Sequence, residues 1–210
     1  MSDLQELGRQ LSEGNFSEVE AITKKLIIEG FSAGKILYEG VIPGMEEVGR
    51  LFKNGDMYIP EVLMAAKGMK SVFSLVEPLL VKEKVSYLGK FAIGTVQGDI
   101  HDIGKNLVSL MMKGVGFEVI DLGVDLPPER FVSVVKENDI KILGLSALLT
   151  TTMPSLKETI DALKASGLRD KVKIMVGGAP VNQKFADEIG ADGYAADAGE
   201  AAEKAKSLLT

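Results

Sequence analysis

Hydrophobic residues in the first part of the chain recur at the spacing of one helix face. The recurring positions are Leu4, Leu7 and Leu11; Val19, Ile22 and Leu26; Val41, Met45, Val48 and Phe52; and Leu63, Ala66, Met69, Val72 and Val76. Breaks with glycine, asparagine or proline interrupt this pattern at residues 13–15, 29–35 and 53–61. Short breaks between amphipathic helices are typical of antiparallel neighbours, so the pattern predicts a bundle of four or five helices over residues 1–85.

A different pattern begins at residue 90. Five short β-rich runs, each followed by a helical pattern, are KFAIGTV, FEVIDLG, ILGLSAL, VKIMVGG and DGYAA. Strands that alternate with helices indicate a parallel sheet covered on both faces, with right-handed crossovers. The predicted fold class is therefore α followed by α/β: a helical bundle, a charged linker (VKEKVSYLGK), and a five-stranded flavodoxin- or Rossmann-like domain over residues 90–210.

Composition excludes several classes of function. The 210 residues carry a net charge of −6 and an isoelectric point near 5.0, and the basic residues are scattered, so we expect no nucleic-acid partner. The absence of cysteine excludes disulfides, thiolate zinc and Cys-ligated iron–sulfur clusters. No apolar run approaches the roughly 18 residues that a membrane span requires, and no signal peptide is visible, so we expect a cytoplasmic protein.

Three unusual loops follow strands of the predicted sheet. They are QGDIHDIG after the first strand, SALLTTTMP after the third and GGAPVN after the fourth. In open parallel sheets, ligands bind at the carboxyl ends of the strands where the strand order reverses, between strands 1 and 3 for the order 2-1-3-4-5. The sequence therefore predicts one crevice that these loops share. The only histidine in the chain, His101, lies in the first of these loops.

The residues around His101 exclude most kinds of site that use a single histidine. A zinc site lacks ligands, no GxSxG elbow accompanies the available serines, and no GxGxxG turn indicates a dinucleotide. The remaining possibility is a metal that is bound inside an organic cofactor and takes one axial ligand from the protein. The competing interpretation is structural: His101 as a capping or packing residue, SALLTTTMP as a threonine-rich helix cap, and Gly177–Gly178 as a turn.

Three motifs carry a family resemblance. Asp99, His101 and Gly104 form D-x-H-x-x-G, Ser146 and Leu148 form S-x-L, and Gly177–Gly178 form GG. Their order and spacing resemble a cobalamin-binding domain of the base-off, histidine-on type. The stretch PGMEEVGRLFKNGDMYIPEVLMAAKGMK is similar to the helical cap of cobalamin-dependent methionine synthase and of small corrinoid proteins in methanol and methylamine methyltransferase systems. The resemblance covers essentially the whole chain.

The resemblance implies a role for each motif residue. His101 would be the lower axial ligand of cobalt, and Asp99 would accept a hydrogen bond from its other ring nitrogen. Thr152, in place of the family's serine, would continue this hydrogen-bonded relay. The residues expected to bind the cofactor's displaced base or its nucleotide tail are Ser146, Leu148, Thr150, Gly177, Gly178 and Gly104. Phe52 and Ile59 match positions that cover the methyl face of the corrin, although core packing explains apolar residues there equally well. Asp102 and Asp121 receive no role.

The function that the resemblance implies is a methyl carrier, a non-catalytic subunit of a multi-component system. A substrate-specific methyltransferase would place a methyl group on cobalt(I), and a second methyltransferase would move it to tetrahydrofolate or coenzyme M. A reductive activator would restore oxidised cobalt, and Lys82–Lys90 would be the hinge of the cap. Three alternatives remain open: a subunit of a cobalamin-dependent isomerase, a cobalamin-sensing regulator, and an α/β module for an unrelated small ligand.

Overall fold

The computed structural model of the protein describes residues 2–83 and 86–209. These residues divide into two compact units: one runs up to Tyr87 and includes Lys113–Gly116, and the other comprises Leu88–Met112 and the residues from Phe117 onward. The domain boundary that we predicted at Val85 lies outside the described residues, as does part of the predicted hinge, so both stay predictions. None of the helices in the described ranges is long and apolar enough to cross a lipid bilayer.

Helices account for the first unit, in the order α1 (Asp3–Ser12), α2 (Phe16–Ile28), α3 (Ala33–Ile36), α4 (Ile42–Asn54) and α5 (Ile59–Glu83). The Ser2 hydroxyl accepts from the Gln5 N–H while the Gln5 side chain accepts from the Ser2 N–H, so a capping box begins α1. Gly55, with a φ of 77°, ends α4 in a left-handed conformation that suits glycine.

The predicted break at residues 29–35 extends too far. Ser32 caps α3 by accepting from the Lys35 N–H, and a π-helical turn, Leu37–Val41, then joins α3 to α4 without a loop. The short run AGKI carries too little periodicity for the sequence to show this helix, whereas the serine cap was a visible signal.

The second unit is a five-stranded parallel sheet in the order β2-β1-β3-β4-β5. The strands are β1 (Lys90–Thr95), β2 (Glu118–Asp121), β3 (Ile140–Ser146), β4 (Lys173–Gly177) and β5 (Gly193–Tyr194). The intervening and final helices are α6 (Ile103–Gly114), α7 (Pro128–Glu137), α8 (Met153–Ala165), α9 (Gln183–Ile189) and α10 (Ala198–Ser207). The predicted fold class and strand order are thus confirmed.

The apolar sequences of β1 and β3 explain why these two strands lie inside the sheet. β1 and β3 are buried along most of their length, as expected for strands covered on both faces, and Leu143, Leu156 and Ile174 belong to one core cluster. The polar residues that the sequence placed after the strands are left at the carboxyl edge of the sheet.

Candidate functional site

The register of the sheet brings the three motif-bearing loops to one edge. Thr95 pairs with Ser146, and Ser146 pairs with Gly177, so the last residues of β1, β3 and β4 lie side by side. The loops that follow them begin from neighbouring points. Because β1 and β3 are adjacent and β2 lies on the other side of β1, this edge is the switch point of the sheet.

Asp99 is the centre of the polar contacts at this edge. Its side chain is fully buried, and its Oδ1 accepts from the His101 N–H at 3.0 Å and from His101 Nδ1 at 2.7 Å. Its Oδ2 accepts from the Leu148 N–H at 2.7 Å, from Thr152 Oγ1 at 2.8 Å and from the Leu149 N–H at 3.3 Å. One carboxylate thereby joins the loop after β1 to the loop after β3.

These hydrogen bonds determine the charge of Asp99. Burial by itself raises the pKa of its carboxyl group. The bonds from the His101 and Leu148 N–H groups, the Thr152 hydroxyl and the His101 ring outweigh this and hold the pKa well below its ordinary range. Asp99 is therefore an ionised acceptor at neutral pH.

An ionised Asp99 selects one form of His101. Because a carboxylate only accepts, Nδ1 of the neutral ring carries the proton, and the lone pair lies on Nε2. The histidine side chain is 47% exposed. Its main-chain carbonyl also accepts from the buried Thr95 hydroxyl at 2.9 Å. The loop thus orients an imidazole whose second nitrogen is available as a ligand.

Thr152 contacts Asp99, and its role in a relay stays a prediction. Its hydroxyl lies within hydrogen-bond distance of both Asp99 Oδ2 and the Leu149 carbonyl, at 2.8 and 2.9 Å. A hydroxyl has one proton, so it donates to one acceptor at a time. The replacement of serine by threonine keeps this contact, which the sequence alone did not decide.

The other predicted residues occupy the same edge without contacting Asp99 through their side chains. Ser146 ends β3 and is partly buried, Leu148 contributes its N–H, and Thr150 is exposed. Gly104 is the second residue of α6, and a Cβ there would meet no atom within 4 Å. Open space above Gly104 suits a close approach by a ligand.

Gly178 has a structural reason of its own. Its φ is 128°, and a Cβ would lie 1.9 Å from the Ala147 carbonyl oxygen. At Gly177 a Cβ would come within 3.3 Å of the Ala195 carbonyl oxygen. The predicted reason for the GG motif, space for a nucleotide tail, is therefore not needed to explain Gly178, because the fold excludes a side chain there.

Phe52 and Ile59 belong to the helical unit. Phe52 lies near the end of α4 and is partly buried, whereas Ile59 is exposed at the start of α5. The exposure of Ile59 removes core packing as the explanation for this residue. A role for either residue on a corrin stays a prediction.

Sequence reasoning missed the loop after β2. Asp125 accepts from the Gly98 N–H, and Asp121 accepts from Lys105 Nζ, so both acidic side chains bind the segment that carries His101. A positive φ is rare outside glycine, and Asp125 has one of 54°. The only sequence signal was the pair of aspartates in DLGVD after a strand, which by itself is typical of an ordinary turn.

Four exposed apolar side chains surround His101 in sequence and on the neighbouring loop: Ile100, Ile103, Leu148 and Leu149. Large apolar side chains exposed together beside a polar centre are typical of a binding site. The site therefore combines one available imidazole nitrogen with an apolar rim.

Comparison with known proteins identifies the family. A B12 binding domain matches residues 89–205, and a second B12 binding domain matches residues 4–77. A corrinoid protein of Desulfitobacterium hafniense is 43% identical over 212 residues, which cover 100% of this chain and 98% of that protein. The chain belongs to the B12-binding corrinoid protein family. A dimethylamine corrinoid protein of Methanosarcina barkeri is 44% identical, with 98% of this chain and 97% of that protein covered.

Solved structures place the whole chain in the same family. A cobalamin-binding protein from Desulfitobacterium hafniense DCB-2 matches with a TM-score of 0.85 and 32% identity over 99% of both chains. A chain in the methanol:cobalamin methyltransferase complex of Methanosarcina barkeri matches with a TM-score of 0.83 and 29% identity, over 99% of this chain and 79% of that one. The predicted resemblance is confirmed, and the relatives do not favour the isomerase or regulator alternatives.

Proposed function

We propose that this corrinoid protein carries a methyl group between two methyltransferases, with His101 as the lower ligand of cobalt in a base-off corrinoid. The observation that carries the proposal is the Asp99 carboxylate, which binds His101 Nδ1 at 2.7 Å and so leaves Nε2 free. The names of the relatives support the class of system, since they are corrinoid proteins for dimethylamine and a methanol:cobalamin methyltransferase complex.

The residues present suit a corrinoid. The partly exposed imidazole offers a nitrogen that cobalt accepts as a ligand, and a buried carboxylate behind a ligating histidine is the usual arrangement at metal centres. The exposed apolar side chains of Ile100, Ile103, Leu148 and Leu149 suit the apolar parts of a large ring. The open space above Gly104 admits a close approach to the start of α6.

The bound cofactor would supply a cobalt centre that takes up a methyl group as cobalt(I) and releases it to an acceptor. The chain's own residues would tune this centre. Asp99 would keep the His101 ring in the tautomer that leaves the lone pair on Nε2. The Thr152 hydroxyl would turn between Asp99 Oδ2 and the Leu149 carbonyl, which changes the number of hydrogen bonds that stabilise the carboxylate.

The partners follow from the same proposal. A substrate-specific methyltransferase would methylate the cofactor, and a second methyltransferase would deliver the group to tetrahydrofolate or coenzyme M. A reductive activator would return oxidised cobalt to the active state. Phe52 and the exposed Ile59 would cover the upper face of the corrin, and Lys82–Lys90 would let the helical unit move away for the partners.

The test is reconstitution of the protein with hydroxocobalamin, followed by visible spectra of the wild type, His101→Ala and Asp102→Asn. Asp102 precedes α6 and accepts from the Asn106 side chain at 3.0 Å, and asparagine preserves this helix start while removing the charge beside His101. We expect the wild type and Asp102→Asn to give the same visible spectrum, and His101→Ala to give a different one.

Identical spectra for folded wild type and His101→Ala would exclude His101 as a cobalt ligand. Failure of the folded wild type to retain any corrinoid would refute the proposed function as a whole. Methyl transfer from dimethylamine or methanol, with each candidate methyltransferase added in turn, then identifies the donor.

A further inference from the structure

The connection between β2 and α7 holds the His101 loop at both ends. We call residues 121–126 the β2–α7 clamp and residues 97–105 the histidine loop. The clamp runs along the end of β1: the Thr95 N–H donates to the Gly123 carbonyl at 3.0 Å, and the Leu126 N–H donates to the Thr95 carbonyl at 3.1 Å. The bridge between Val96 and Leu126 continues the sheet pairing into the clamp.

Asp125 binds the first part of the histidine loop. Its Oδ1 accepts from the Gly98 N–H at 2.8 Å, and its own N–H donates to the Asp99 carbonyl at 2.9 Å. The two bonds restrain the main chain on both sides of Asp99. Asp125 adopts a φ of 54° to make them, a conformation that costs an L-residue free energy and is retained where surrounding contacts enforce it.

Asp121 binds the last part of the histidine loop. Both of its carboxylate oxygens lie 2.6 Å from Lys105 Nζ, whose side chain is only 2% exposed. The Gly123 N–H donates to Asp121 Oδ1 at 3.0 Å and so orients this carboxylate. A buried ammonium group in the first turn of α6 lies near the positive end of the helix dipole, which is unfavourable. The negative charge of Asp121 offsets the positive charge of this ammonium group.

We propose that Asp125 is a positioning residue for the Asp99–His101 pair. Its hydrogen bonds go to the main chain of Gly98 and Asp99, and it acts by fixing the main chain of Asp99. The side chain of Asp99 meets donors from His101, Leu148 and Thr152 only if its Cα stays where Asp125 holds it, since hydrogen bonds weaken steeply with distance and angle. The proposal extends the proposed function by adding a residue that controls the cobalt ligand.

Three variants test this in the protein without cofactor. Asp125→Gly removes the acceptor and relieves the positive φ, Asp125→Asn keeps an acceptor oxygen and tolerates that φ, and Asp102→Asn is the charge-matched control outside the clamp. The readout is the tautomer of the ring, measured at mildly alkaline pH by ¹⁵N NMR of labelled histidine. His101 is the only histidine, so the spectrum contains a single imidazole.

We expect the Nδ1–H form to dominate in the wild type, Asp125→Asn and Asp102→Asn. In folded Asp125→Gly the ratio of the Nδ1–H to the Nε2–H form should fall by about tenfold, the factor that corresponds to the loss of one hydrogen bond to a charged group. A purely structural role would lower the urea midpoint of Asp125→Gly and leave this ratio unchanged. An unchanged ratio in the folded variant would overturn the proposal.

Should Asp125→Gly not fold, hydrogen exchange in the wild-type protein decides. Slow exchange of the Gly98 and Asp125 amides supports the clamp, and exchange as fast as in an unstructured peptide overturns it. Neither measurement uses a corrinoid. A failure of hydroxocobalamin binding would thus refute the proposed function and leave the tautomer result standing, whereas an unchanged tautomer would refute only the role of Asp125.

Discussion

The two units of this protein use charged residues in different ways. In the helical unit, ion pairs such as Arg9–Glu6, Lys25–Asp3 and Arg50–Glu47 join side chains that water reaches. The sheet unit has exposed pairs as well, such as Lys164–Asp161, but among the described residues it alone buries charged side chains. These are Asp99 and Lys105, which are hydrogen-bonded to neighbouring loops. Exposed pairs contribute little to stability, whereas a buried charge that loses its partner is costly. Buried charged groups therefore fix the positions of loops in the sheet unit.

Glycines differ between the units in a similar way. In the helical unit, a Cβ on Gly44 would lie 2.7 Å from the Gly8 carbonyl oxygen, so small residues let α1 and α4 pack closely. In the sheet unit, Gly178 leaves room for the Ala147 carbonyl at the edge that carries the site. One set of glycines supports helix packing, and the other shapes the binding edge.

The largest effect is expected from Gly178→Ala. The positive φ and the collision with the Ala147 carbonyl should together lower the free energy of unfolding by about 2 to 6 kcal/mol. Urea unfolding measures this. Gly55→Ala in the helical unit is the matched variant, because its φ of 77° imposes strain while nothing lies within 4 Å of the added Cβ. It should cost about 1 to 2 kcal/mol. Equal costs would show that the collision relaxes freely.

A smaller effect should separate the two members of the Lys105–Asp121 pair. Asp121→Asn leaves a buried ammonium group without its carboxylate, and we expect a loss of about 2 to 3 kcal/mol. Lys105→Met leaves a carboxylate that is 43% exposed and therefore remains solvated, so its cost should stay within about 1 kcal/mol. Urea unfolding of both variants measures the difference. A larger loss for Lys105→Met would contradict the view that burial, not pairing, sets the cost.

The smallest effect concerns Glu6 in the helical unit. The Arg9 side chain, followed by Gln10, lowers the pKa of Glu6 to about 2 against the opposing effect of burial. A lowered pKa stabilises the fold above the unfolded value of 4.5, and this contribution disappears as the pH falls from there to about 2. Glu6→Gln should flatten the pH dependence of the urea midpoint slightly in that window. Because the pair is exposed, 1 M salt should remove most of the difference.

Most of the fold was predictable from the sequence, because helical and strand periodicities differ and the five apolar runs are long enough to be buried. The strand order and the family are confirmed. The break at residues 29–35 was wrong in extent, since four residues are too few for a periodic signal. Within the site, the contacts of Asp99 with His101 and Thr152 match the roles that the resemblance implied, but their part in cobalt chemistry stays a prediction.

The sequence by itself determined which residues lie at the carboxyl edge, because the end of each strand is a local feature and parallel strands bring their ends together. Only the tertiary structure decided what those residues bind. Asp125, Asp121 and Lys105 had no distinguishing local pattern, and their contacts depend on the register between β1 and β2. The reason is physical: periodicity records which face of an element is buried, whereas a hydrogen bond between loops depends on distances that only the folded sheet sets.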